Sequence, residues 1–149
     1  SIYAASLLLI LHTFLVAYIN SSYLEQFVST EAVGTIYTIG SAVSVLVFLF
    51  ISRVLQRVGN FRLMLLLLLL NLTAVWGMAF ADSLRTAVPL FLIHLMAVPL
   101  MVFNLDVFME AQIGNNEGTT GSKRGLLLTL MCFIEAIAPF ASSLLAGAG

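Results

Sequence analysis

The sequence predicts an all-α protein, a polytopic bundle of membrane-spanning helices, on three observations. Of the 149 residues, 61% are hydrophobic and 9% are charged, whereas a soluble domain carries about a quarter charged residues. The mean hydropathy is +1.10. The apolar residues also fall into five runs, each near the ~20 residues that a helix needs to cross the hydrocarbon core. We therefore expect an integral, multi-pass membrane protein.

The five expected helices cover residues 2–19, 33–52, 63–81, 87–111 and 126–148. The connections between them, such as NSSYLEQFVSTEA and QIGNNEGTTGSKRG, are rich in charge, Gly, Asn and Ser, which is typical of turns. The first run has no basic segment before it and no clear cleavage site after it, so it predicts a spanning helix and not a signal peptide. Because the chain enters this run almost at once, we expect the natural N-terminus to lie further upstream.

In three of the helices, small and polar residues share one face. These faces consist of Ser6, Thr13 and Asn20 in helix 1, Gly34, Tyr37, Ser41 and Ser44 in helix 2, and Cys132, Glu135, Pro139 and Ser142 in helix 5. Small residues let two backbones approach closely, so the face of helix 2 is expected to pack on a neighbour. Helix 3 is Leu-rich with no polar stripe and is expected to face lipid on most sides. The expected arrangement is an inner set of helices 1, 2, 4 and 5 with helix 3 outside.

Positive charge predicts the orientation of the bundle. The second connection carries Arg53, Arg57 and Arg62, and the fourth carries Lys123 and Arg124. The first connection carries no basic residue, and the third carries only Arg85. Basic residues are enriched in cytoplasmic loops, so the second and fourth connections are expected in the cytoplasm. The N-terminus is then cytoplasmic too, and the expected location is the plasma (inner) membrane.

Several classes of function are excluded by the composition and by missing motifs. A net charge of −1 gives no basic field, so no nucleic-acid partner is expected. A single cysteine cannot build a disulfide framework. The sequence has no His/Cys cluster with zinc spacing, no Gly-rich phosphate loop and no nucleophile-turn motif. Neither an enzyme nor ATP-driven transport is therefore expected, and no cofactor or metal is implied.

The second connection resembles the signature of the major facilitator superfamily of secondary transporters. That signature lies between helices 2 and 3 and reads Gly-x-x-x-Asp-(Arg/Lys)-x-Gly-(Arg/Lys)-(Arg/Lys). The matching stretch is SRVLQRVGNF, residues 52–61. Arg57 and Gly59 occupy their places, and Arg62 supplies a nearby cation. Ser52 and Gln56 stand where the family has its first Gly and its Asp, and Asn-Phe replaces the basic pair that follows.

Two further features are similar to the family. Glu110, near the end of helix 4, precedes the Arg124-Gly125 pair that opens helix 5, and helix 3 has the lipid-facing character of the family. The resemblance implies that residues 1–149 form a single transmembrane domain, about five helices of the six-helix N-terminal half of a twelve-helix transporter. Its partners would be a small-molecule solute, the lipid bilayer and the C-terminal half of the same transporter.

Glu135 is the candidate for coupling, because it lies about halfway along helix 5, ~15 Å beyond Gly125 at the helical rise. A charged group at the centre of the hydrocarbon costs roughly 2.5–3.5 kcal/mol on insertion scales, so it is seldom placed there without a role. A carboxyl group that is neutral or charged according to which side water enters from can carry protons, and it could equally bind a cationic substrate. The alternative is a protonated glutamic acid that donates one hydrogen bond to a neighbouring helix.

Other polar residues predict a substrate path and a cytoplasmic gate. The residues expected to line the path are His12, Tyr18, Asn20, Tyr37, His94 and Asn104. Those expected at the gate are Arg53, Arg57, Gly59, Asp106, Glu110 and Arg124. Asp106 and Glu110 stand at i and i+4, on one helical face, and their pairs with arginines would break and re-form as the bundles rock. The alternative is ordinary interfacial charge with snorkelling arginines.

The sequence therefore predicts a secondary active transporter, a permease for a small solute that is coupled to protons and works by alternating access. Two alternatives stay open. His12 and His94 have similar expected depths and could form an axial pair for haem, in a membrane anchor subunit of a redox complex. The departure from the family signature at Gln56 also leaves open a scaffold with a degenerate transporter fold.

Overall fold

The computed structural model describes residues 2–113 and 117–147. They form five helices: α1 Ile2–Glu25, α2 Thr30–Val58, α3 Asn60–Ala79, α4 Leu84–Ile113 and α5 Glu117–Gly147. No strand occurs in this part of the chain. The all-α fold class is confirmed, and the helices follow in the predicted order.

Within the described residues, four helices are long and apolar enough to cross a membrane: Ala4–Glu25, Thr30–Val58, Asn60–Ala79 and Leu84–Ala111. The apolar stretch of α5, Leu128–Leu144, is shorter. Large apolar side chains cover the exposed sides of the helices, among them Leu49, Trp76 and Phe140. So much exposed apolar surface indicates a hydrocarbon environment, and the chain has the character of a membrane-embedded helical protein.

The connection between α2 and α3 is shorter than the sequence predicts. Residues 53–62 were expected to form it, but α2 continues to Val58 and α3 begins at Asn60, so Gly59 alone joins the two helices. Gly59 has φ 85° and ψ 152°, a conformation that is essentially restricted to glycine. The predicted bounds are wrong because hydropathy locates the hydrocarbon core, and a helix can continue beyond it into polar surroundings.

The chain divides into two compact units. One is Tyr23–Leu105, which contains α2, α3 and most of α4. The other combines Ser1–Ser22 with Asp106–Gly149, and so contains most of α1 and all of α5. In this second unit the Oγ of Ser142 donates a hydrogen bond to the carbonyl oxygen of Leu15 at 3.1 Å, which connects α5 to α1.

Within Tyr23–Leu105, α4 packs against both α2 and α3. The ring of Tyr37 lies 5.2 Å from that of Phe91, and the ring of Phe48 lies 5.9 Å from that of Phe103. Because the contacts advance along both helices in the same direction, α2 and α4 are parallel. This is the relation expected of two helices that cross a membrane in the same direction.

One end of this unit is closed by a buried apolar cluster. The cluster consists of Leu24, Val33, Met78 and Phe91, one residue from each of the four helices. The hydroxyl of Tyr23 donates a hydrogen bond to the carbonyl oxygen of Met78 at 2.9 Å. The last turn of α1 is thereby attached to the last turn of α3.

The packed face of α2 is rotated from the predicted one. Its buried residues are Val33, Gly40, Ser44 and Ile51. Of the predicted face, Ser44 is buried and Tyr37 is half-buried, but Gly34 and Ser41 are exposed, so for these two the prediction is wrong. The close approach occurs at Gly40, where an added Cβ would press on two leucine side chains of α4. Several small residues share this helix, and their spacing alone does not select between adjacent faces.

Helix α1 has the predicted face, and α3 has the predicted exposure. Ser6 and Asn20 are buried and Thr13 is half-buried, so the residues spaced by seven lie on the packed side of α1. Helix α3 buries one narrow stripe and exposes its other sides. That stripe contains Asn71, a polar residue that the prediction of a purely apolar helix leaves out.

Candidate functional site

Glu135 is exposed on α5, at the centre of the apolar stretch Leu128–Leu144. Cys132 and Pro139 are exposed as well, whereas Ser142 is buried. Of the four residues that share this helical face, Ser142 alone is buried. Spacing shows which residues share a helical face, and it does not show which part of that face another helix covers.

The surroundings of Glu135 are apolar. Phe133 and Ile137 are exposed close to it in sequence, and Ala138, about one turn further along the helix, is buried. No hydrogen bond or ion pair joins the carboxyl group of Glu135 to another residue that the structure describes. The group is therefore available to a proton, a cation or a second protein surface.

A polar pair connects α3 and α4 inside Tyr23–Leu105. His94 is 3% exposed and Asn71 is 6% exposed, and the Nδ1 of His94 lies 2.7 Å from the Oδ1 of Asn71. A carboxamide oxygen only accepts, so the hydrogen is on Nδ1 and the imidazole donates it. The bond fixes the position of the ring and attaches α3 to α4 in the apolar interior.

Sequence reasoning missed Asn71 as part of a site. A signal was present, since Asn71 directly follows a run of six leucines in α3. Amide side chains in membrane helices commonly hydrogen-bond across to another helix. The sequence shows that a partner is needed, but not that the partner is His94, which lies 23 residues further along the chain.

Asn104 is the most unusual polar residue of α4. Its side chain is 0% exposed, and neither Oδ1 nor Nδ2 has a hydrogen-bond partner among the described residues. A buried polar group without a partner costs about 1–3 kcal/mol. The amide offers an acceptor and two donor hydrogens to any water or polar solute that reaches it.

The remaining path residues lie in both units. His12 is half-buried and Asn20 is buried in α1, within Ser1–Ser22, and Tyr37 is half-buried in α2. The ring of Tyr37 meets that of Phe91 edge-on. The haem alternative, which pairs His12 with His94, stays a prediction.

The predicted gate residues lie on α2, at its junction with α3, and on α4. Arg53 and Arg57 are exposed in the last two turns of α2, and Gly59 forms the corner that follows. Asp106 is half-buried and Glu110 is exposed in α4. Two predicted residues have side chains outside the described part of the structure, Tyr18 and Arg124. The gate stays a prediction.

Comparison with known protein families, with curated proteins and with solved structures gives no match for this chain. Among the residues that the structure describes, no group of three or more His, Cys, Asp or Glu side chains could hold a metal ion. The function proposed below therefore depends on the positions of the polar residues in the apolar helices.

Proposed function

We propose that the chain is part of a secondary active transporter, a permease that moves a small solute by alternating access and couples it to protons. Glu135 carries the proton or binds the charge of a cationic solute. The observation that carries this proposal is the position of Glu135, an exposed carboxyl group at the centre of the apolar stretch Leu128–Leu144 without a partner in the described chain.

A purely structural role for Glu135 has less support. A protonated glutamic acid that holds two helices together would lie between them and donate a hydrogen bond. Glu135 shares a helical face with Ala138 and Ser142, which are buried, but Glu135 itself is exposed and no described residue bonds its carboxyl group. An acidic residue at this depth is costly, and acidic residues retained in membrane helices mark ion and solute pathways.

The exposure of Glu135 fits a path formed with a second bundle. In transporters built from two halves, solute and ions bind near the bilayer midplane at the interface of the halves. Residues that line such an interface are exposed when one half is viewed alone. The partner surface in this proposal is the C-terminal half that the resemblance to the major facilitator superfamily implies. Asn104 supplies a further polar group inside α4 that water or solute can bind when the helices move apart.

Charge supports an orientation for the bundle. Arg53, Arg57 and Arg62 lie at the end of Tyr23–Leu105 where α2 meets α3. At its opposite end are Glu25, Glu31, Asp82 and Arg85. The rule that basic loops are cytoplasmic supports a cytoplasmic position for Gly59 and the N-terminus. The membrane in this proposal is the plasma (inner) membrane.

Transport in proteoliposomes tests this function. The natural protein that contains the chain is reconstituted with an imposed pH gradient, and accumulation of a fluorescent organic cation such as ethidium is recorded for wild type and Glu135→Gln. Glutamine keeps the size and hydrogen-bonding capacity but cannot titrate. We expect pH-driven accumulation to be lost while exchange of the cation across the membrane remains.

The matched control is Glu25→Gln, which removes a carboxylate at the exposed end of α1 and should leave accumulation unchanged. Unaltered pH-driven accumulation by Glu135→Gln would show that this carboxyl group is not the coupling group. A hydrophobic carbodiimide gives an independent reading, because it reacts with protonated carboxyl groups inside the bilayer. It should modify wild type and spare Glu135→Gln.

A further inference from the structure

The corner between α2 and α3 concentrates positive charge. Arg53, Arg57 and Arg62 lie within ten consecutive residues, on both sides of Gly59, and all three are exposed. The sequence has no Asp or Glu between Glu31 and Asp82. No acidic residue of α2 or α3 near this corner can therefore neutralise the arginines.

The arginines have no ionic partner within the described residues. The guanidinium of Arg53 lies 5.7 Å from the ring centroid of Phe50, a cation–π contact that leaves its edge N–H donors available. Arg57 follows Arg53 by one helical turn, and like charges at this spacing repel. An anion bound at the corner would relieve that repulsion and accept hydrogen bonds from the guanidinium groups.

Apolar side chains continue directly from the charged corner. Phe50 and Val54 on α2 and Phe61 and Leu65 on α3 are all exposed. A soluble anion would make no contact with this apolar surface, whereas the acyl chains of a lipid would pack against it. Guanidinium groups bind phosphate oxygens in a bidentate manner, which a phospholipid headgroup supplies at the same depth.

We propose that this corner, residues 53–62, is a binding site for the headgroup of an anionic phospholipid. The arginines bind the phosphate and the negative headgroup, and the exposed apolar residues contact the acyl chains. The proposal needs the membrane character of the chain but not the transport function. Failure of the transport experiment would leave it intact, and its own failure would leave transport intact.

Lipid retention tests the proposal on the purified full chain. The protein is reconstituted in nanodiscs that contain equal amounts of phosphatidylglycerol and phosphatidylcholine, re-extracted in a neutral detergent, and the retained lipids are quantified by mass spectrometry. Wild type should retain more phosphatidylglycerol than phosphatidylcholine. Each basic residue near an anionic surface contributes ~1 kcal/mol, so Arg53→Gln, Arg57→Gln and Arg62→Gln should each lower that preference about fivefold.

Arg85→Gln is the matched control, because Arg85 is exposed at the opposite end of the same unit and should leave the preference unchanged. Single substitutions at exposed positions keep the fold, which circular dichroism checks. Equal retention of both lipids by wild type would overturn the proposal, and so would an equal loss of preference in Arg85→Gln. Complete displacement of phosphatidylglycerol by inorganic phosphate would also overturn it, because the site would then select a free anion.

Discussion

The imidazole of His94 donates a hydrogen bond from Nδ1 to the Oδ1 of Asn71 across 2.7 Å, between two helices and away from the surface. Replacing Asn71 with Leu leaves the Nδ1 hydrogen without its acceptor. We expect Asn71→Leu to lower the free energy of unfolding by about 1–3 kcal/mol. Denaturant titration in detergent micelles, followed by circular dichroism, measures the change.

A double-mutant cycle measures the interaction energy between His94 and Asn71 separately from the other contacts that each side chain makes. Hydrogen bonds between membrane helices average ~0.6 kcal/mol in such cycles. His94→Ala and Asn71→Ala, measured singly and together, should therefore show a coupling of about this size. Strict additivity of the two losses would mean that the pair contributes no specific interaction.

Asn104 should respond in the opposite sense, although it is also a buried asparagine in a membrane helix. Its amide has no hydrogen-bond partner in the described chain, so Asn104→Leu removes an uncompensated polar group at similar volume. We expect a gain in the free energy of unfolding of about 1–3 kcal/mol. The same denaturant titration measures it, with Asn71→Leu as the comparison of opposite sign. A loss of stability at position 104 would show that the amide is hydrogen-bonded.

Much of the fold follows from apolar length and spacing. Runs near 20 residues predicted the number, type and order of the helices, because each must satisfy its backbone within itself to cross hydrocarbon. The seven-residue spacing of Ser6, Thr13 and Asn20 also predicted that they share one face of α1, and in the structure none of the three is exposed. The end of α2 could not be predicted in this way. A hydropathy scale assigns Arg53 and Arg57 to a loop because they are charged. Arginine is nevertheless a good helix former, and these two residues extend α2 beyond the apolar core.

Gly40 and Gly34 form a matched pair for testing which face of α2 packs. An added Cβ at Gly40 would press on Leu92 and Leu95, whereas at Gly34 it would meet nothing within 4 Å. Gly40→Val should therefore lower the free energy of unfolding by about 1–3 kcal/mol, the usual cost of overpacking. Gly34→Val should change it much less, as thermal denaturation of the two variants side by side would show. An equal loss in both variants would place Gly34 at an interface too.

Gly59 is expected to tolerate no side chain because of its backbone. With φ 85° and ψ 152°, it adopts a conformation that costs other residues of order 1–3 kcal/mol. We expect Gly59→Ala to destabilise the protein by about that amount, although an added Cβ would have open space around it. Gly34→Ala is the control, since Gly34 lies in a regular helix with open space around it. If both substitutions are neutral, the corner adopts a different conformation in solution.

The candidate site was less predictable than the fold. Glu135 was identified from its chemistry alone, because an acidic residue in an apolar run is conspicuous in any membrane helix. Its exposure was not predictable, because Glu135 shares a helical face with the buried Ala138 and Ser142, and spacing does not show which part of a face another helix covers. The role of Asn71 became clear only from its hydrogen bond to His94. Such a bond depends on how the two helices pack, which neither sequence segment shows by itself.

The one-residue link at Gly59 has a consequence for how the chain enters its membrane. A single residue spans ~3.5 Å, so the adjoining ends of a 29-residue helix and a 20-residue helix stay together once both helices have formed. We therefore expect the two helices to insert as one hairpin, in which neither inverts unless the other does. Placing an arginine at the centre of the hydrocarbon core costs roughly 2.5–3.5 kcal/mol on insertion scales. We therefore expect the membrane face that receives Arg53, Arg57 and Arg62 during insertion to retain them.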